Sequence, residues 1–151
     1  MEAQQACPEC GALWQRGSTC EEAFHQLLFW ENEDPTRGVV HHLMVLGYHL
    51  QHPSLYAPDG LEYSLQLLVD FVEGGISPQQ VREQRGAAVD SGQRTWKIRA
   101  RPGLHGSWRQ PVHWNTTAQD VVKGGADHYI EGVQQWARTI LADLRLSGNL
   151  E

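Results

Sequence analysis

The sequence predicts a mainly α protein, a small bundle of four to five helices with an N-terminal metal-knuckle loop and a long irregular loop before the last helix. Three observations carry this. Apolar residues recur at helical spacing in separate stretches, each bounded by a proline or glycine break. All three cysteines lie in the first 20 residues, two of them as Cys7-Pro8-Glu9-Cys10-Gly11. Residues 91–115 drop the helical period, and glycine, proline, arginine and tryptophan alternate there.

Each element follows from local chemistry. Residues 1–17 read as a loop carrying the knuckle, within a cysteine segment of residues 1–20. Ser18 or Thr19 caps a first helix over about 19–32, with Glu21 and Glu22 placed to suit its dipole and Phe24, Leu27 and Leu28 on one side. Asp34-Pro35-Thr36 breaks the chain and caps a second helix over about 36–51. Its core face is Val39, Leu43, Leu46 and Leu50, and His52-Pro53 ends it. Pro58-Asp59 opens a third helix with Leu61, Leu65, Leu68 and Val72 on one stripe, stopped by Gly74-Gly75. Ser77-Pro78 opens a short polar helix to about Asp90. After the loop at 91–115, where Thr95–Ile98 has some strand character, Thr116 or Thr117 caps a last helix from Ala118. Gly124-Gly125 weakens it, and Ile130, Val133, Ala137, Ile140, Leu141 and Leu144 form its long apolar stripe.

A chain of 151 residues is expected to form one domain, residues 1–151, with a core that needs no disulfide staples. A net charge of −6 argues against nucleic acid as a partner, because phosphate binding needs an excess of Lys and Arg. No run of about 18 apolar residues occurs, so no membrane span is expected. The first residues have neither the basic nor the apolar region of a signal peptide, which suggests the cytoplasm. Thiols stay reduced there, and an odd number of cysteines reads as metal chemistry before disulfide chemistry.

Cys7 and Cys10 can grip one soft or borderline ion from a single turn, and Gly11 lets the backbone take a positive φ so that amides face the sulfurs. With Cys20 they make three ligands for Zn²⁺, which needs a fourth for a closed tetrahedron. His25 is nearest in sequence, and His41 is its rival from the second helix. At ~100° per residue His41, His42, His49 and His52 share one quadrant of that helix, opposite its core stripe. His41 and His52 lie about 16 Å apart along a regular helix, so at most one of them serves a given ion unless His52 swings back from a terminal turn. His128, beside Asp127 and three residues before Glu131, is a further candidate, and Trp96, Trp108 and Trp114 either line a binding surface or pack over the bundle's end.

The pattern resembles an uncharacterised bacterial family of unknown function. The resemblance rests on Cys7-Pro8-Glu9-Cys10-Gly11, Cys20, the run from His41 through Tyr48, Gln51, His52 and Pro53, and His128 with Trp136-Ala137. It implies importance for Cys7, Cys10, Cys20, His41, His52 and His128, and shifts the choice of fourth zinc ligand to His41. His52 and His128 then become candidates for an additional site. Leu46 departs from the family pattern, where an Asp is expected. A looser similarity, to DinB-like helical bundles, rests on Trp114–Val121 followed by the His128 helix. The expected function is a zinc-binding module with a structural site and an unknown protein or small-molecule ligand. The alternatives are a metal-dependent hydrolase or thiol transferase, with His52 and His128 as ligands or acid–base groups, and a thiol-based sensor that releases zinc on oxidation.

Overall fold

The computed structural model describes residues 5–14, 19–84 and 104–151. It is mainly helical, as the apolar periodicity predicts. A two-stranded antiparallel hairpin comes first, β1 (Gln5–Ala6) paired with β2 (Leu13–Trp14). Then come α1 (Cys20–Glu33), a 3-10 turn (Pro35–Val40), α2 (His41–Leu50), a short 3-10 turn (Pro53–Leu55), α3 (Pro58–Val72) and α4 (Pro78–Gln84). The last part holds α5 (Ala118–Gly124), a 3-10 turn (Ala126–His128) and α6 (Tyr129–Leu146). The expected continuation of α4 to Asp90, the strand character at 95–98 and most of the loop at 91–115 lie outside the described residues.

Several boundaries have clear causes. Thr19 caps α1 by accepting from the Glu22 amide at 3.3 Å. Asp34 ends α1 and accepts from the Thr36 amide at 3.1 Å, starting the next turn. Gly125, at φ 86°, interrupts what was expected as one weakened helix, so α5 and α6 are separate. The knuckle segment is a hairpin and not a plain loop, because Cys7 N–H donates to Ala12 C=O at 2.8 Å across its base.

The second helix departs most from expectation. Its predicted start, 36–40, is a 3-10 turn, and α2 proper begins at His41. A 3-10 turn advances about 120° per residue instead of about 100°. Val39, assigned to the core on helical spacing, is therefore 66% exposed, while Leu43, Leu46 and Leu50 are buried as expected.

α2 sits centrally, packed on α3 and α6, while α1 packs on α5. Gly47 allows this: a Cβ there would lie 3.1 Å from Ile140 Cδ1, tighter than ordinary contact, so the Ile140 side chain would have to give way. Val133, Ala137, Ile140, Leu141 and Leu144 of the predicted stripe are buried on α6, Ile130 is half-buried, and Trp136, not assigned to that stripe, is buried with them. Residues 104–117 form a strap across the end of α2. The strap crosses α3 closely, since a Cβ on Gly106 would meet Leu61 Cδ2 at 2.9 Å.

Candidate metal centre

Three elements converge on one point. The hairpin supplies Cys7 and Cys10 from its turn, where Gly11 has φ 79° and donates to Cys7 C=O at 2.9 Å. α1 supplies Cys20 as its first residue. The chain leaving α2 supplies His52, which has left helical geometry at φ −128°, ψ 65°. Pro53 forces this exit, since a residue before proline avoids the helical region. Glu9 then locks the knuckle in place by accepting from the Ser54 amide at 3.0 Å.

The ligand atoms of Cys7, Cys10, Cys20 and His52 all lie within 4.8 Å of one another, and all four residues are buried. Cys10 Sγ and Cys20 Sγ are 3.5 Å apart, and the three cysteines are free thiols. A tetrahedron around Zn²⁺ has ligand–ligand edges of about 3.6–3.8 Å, so the group needs only a small contraction to close on an ion.

His52 is oriented as a ligand should be. Its Nδ1 donates to Tyr48 C=O at 2.6 Å, which leaves Nε2 as the nitrogen that can offer its lone pair to an ion in place of a proton. Nε2 is buried without a hydrogen-bond partner of ordinary geometry and faces the Cys20 and Cys7 sulfurs. The ring lies 4.4 Å from that of Tyr48, which stacks in turn on Phe24 of α1 at 4.4 Å. Burial and the nearby sulfur charge push the Tyr48 phenol up to about 12, so it stays neutral.

Protonation shows the same convergence. Burial opposes charge on His52, but the Cys20 and Cys7 sulfurs and the Tyr48 carbonyl outweigh it and hold the imidazole up at about 10. Cys7 is driven far below the ordinary thiol range, first by the Cys10 and Cys20 side chains that donate to it. Cys10 is driven far above, because its proton is held between the other two sulfurs. Four lone-pair donors are competing for protons at a position that suits one cation.

The structure brings together Cys7, Cys10 and Cys20 as expected, but the fourth member is His52 and not His41. His41 Nδ1 lies 2.6 Å from Glu31 Oε1, its side chain half exposed, and Tyr129 Oη donates to the other oxygen of the same carboxylate. His25 is exposed on α1 and belongs to no such group. The proposed pairing of His52 with His128 is also absent. His128 is exposed, with Nδ1 3.6 Å from Glu131 Oε2, the neighbour that helical spacing predicts. His42 packs edge-on against Phe71 at 4.5 Å, and burial lowers its pKa.

Trp14 and Glu31 escaped the sequence reading, and Gln51 stood in it only as part of the segment ending in Pro53, with no role. Trp14 Nε1 donates to Cys20 Sγ at 3.2 Å. Gln51, fully buried, donates to Thr116 C=O at 2.7 Å and accepts from Trp136 Nε1 at 3.2 Å. A glutamine directly before His52, in a segment otherwise singled out, was the available signal. Trp108 donates to Leu50 C=O at 2.9 Å and so packs over the end of α2, and Trp114 is buried edge-on beside the Trp108 ring. Trp96 lies outside the described residues.

Fold and site together define a small helical protein with a buried Cys₃His group able to hold a metal ion. The chain belongs to a family of unknown function, DUF5946, whose model matches residues 5–145. No curated protein and no solved structure matches it. Among the described residues, no helix is long and apolar enough to cross a membrane.

Proposed function

We propose that this protein is a structural-zinc module, in which Zn²⁺ bound by Cys7, Cys10, Cys20 and His52 clamps the hairpin to α1 and to the end of α2. The observation that carries this is the buried, unpartnered Nε2 of His52 aimed at three converging sulfurs. Three thiolates and an imidazole are a donor set that suits zinc. Burial of all four ligands favours a closed site over one that exposes a metal-bound water, which a hydrolase or thiol transferase would need. The module's work is then binding, of a protein or small molecule, from a scaffold the metal makes rigid, and three reduced thiols suit the cytoplasm.

The test is metal content of untagged protein purified without chelator. One zinc per chain is expected. It should be lost in Cys20→Ser and His52→Ala, and kept in His41→Ala and His128→Ala. Retention of zinc in His52→Ala together with loss in His41→Ala would sink this ligand set.

A further inference from the structure

We infer that Trp14 is a positioning residue of the metal centre, whose indole N–H sits on the Cys20 sulfur and keeps that thiolate unreactive. The inference deepens the zinc reading and rests on it. Three thiolates and a neutral imidazole around Zn²⁺ leave one net negative charge, and the site is buried. Buried charge must be met by hydrogen-bond donors.

The knuckle serves two of its own sulfurs. The Cys10 amide donates to Cys7 Sγ at 3.5 Å, and the Ala12 amide faces the Cys10 sulfur. Cys20 is placed differently. It opens α1, outside the knuckle turn, so no amide of that turn is directed at it. Among the described residues, and apart from His52 Nε2, which the ion would take, the N–H donor to its sulfur is the Trp14 indole, at 3.2 Å. β2 places Trp14 there, since Leu13 pairs with Ala6 and Trp14 with Gln5, and the turn between them holds the other two cysteines. Each sulfur thus meets one N–H group. An N–H bond to a metal-bound thiolate withdraws charge from sulfur and blocks a lone pair that an electrophile would use.

The experiment replaces Trp14 by 3-benzothienylalanine, which keeps the ring shape and deletes only the N–H, with Trp14→Phe alongside. Zinc content is measured first. The zinc-loaded proteins are then treated with iodoacetamide, whose carbon is attacked by a thiolate sulfur as iodide leaves, and the modified cysteine is mapped by mass spectrometry. The expected result is one zinc per chain in all three proteins, with Cys20 alkylated about tenfold faster in both variants. The Cys7 and Cys10 rates should be unchanged. Equal Cys20 rates at full zinc content would overturn the inference and leave the zinc reading intact. Equal acceleration at all three cysteines, including through loss of the fold, would also overturn it, because it would mean general loosening. Absence of zinc from the unsubstituted protein would overturn both.

Discussion

The two ends of α2 each hold a histidine, and they treat it in opposite ways. At the C-terminal end His52 is buried, its Nδ1 on a backbone carbonyl and its Nε2 among sulfurs. At the N-terminal end His41 is half exposed, its Nδ1 on the Glu31 carboxylate. Both rings have one nitrogen spoken for, so orientation alone does not make a ligand. What differs is the second nitrogen: at His52 it is shut away from water with no partner except the cysteines. At His41 the strong interaction is already made, by a carboxylate that also accepts from Tyr129. One end gathers a group that could hold a metal ion, and the other is a polar rivet between α1, α2 and α6.

The comparison breaks most visibly if the metal is removed. Chelation, or Cys7→Ser, should lower the melting temperature by far more than any change at the His41 end, since structural zinc supplies up to ~10 kcal/mol of apparent folding free energy. Circular dichroism melts with and without chelator check this. Unchanged melting would mean that the cysteine end is not a clamp. Acid should act the same way, because the thiolates and the imidazole must shed their protons to bind metal. Zinc release followed with a colorimetric chelator should therefore rise as pH falls, while the fold of a zinc-free variant should show no such step.

Next in size is Gln51→Leu. It leaves the Trp136 indole N–H and the Thr116 carbonyl buried without their partner, at a cost of about 1–3 kcal/mol each way of counting. Hydrogen exchange should quicken in residues 104–117 while zinc stays bound. Tyr129→Phe removes a hydrogen bond to a charged, largely buried carboxylate and should cost about 1.5–3 kcal/mol in urea denaturation. It should not change zinc content, and a loss of zinc would show that the two ends are not independent. The smallest effect is expected from Glu73→Gln. Arg145 holds Glu73 with two contacts of 2.5 and 2.6 Å, but the pair is exposed and solvent screens it, so the urea midpoint should barely move.

The helices were legible because their breaks are chemically blunt: Asp34-Pro35, His52-Pro53, Gly74-Gly75 and Gly125 each stop or cap a turn for a local reason. The three cysteines were legible for the same cause, since Cys-Pro-x-Cys-Gly encodes its own turn. The fourth member was not, because it depends on where α2 ends in space. A regular helix through residue 51 places His41 and His52 on one face and cannot choose between them. The choice is made by Pro53, which turns His52 out of the helix, and by Tyr48, whose carbonyl sits one turn back to receive Nδ1. Val39 failed for a related reason, as a 3-10 turn changes the angular step that the pattern assumes. Glu31 gave no local sign at all. Its partners arrive from 10 and 98 residues away.

Gln51 and His52 share a peptide bond yet belong to different moments in the making of the chain. All four candidate ligands lie at or before residue 52, so the set is complete before residues 53–151 are made. The partners of Gln51 lie 65 and 85 residues further on. In order of synthesis the histidine can meet its cysteines early, and the glutamine beside it must wait for α6, the last helix among the described residues. Two neighbouring positions therefore join a set of contacts that the growing chain can complete early to one that waits for α6.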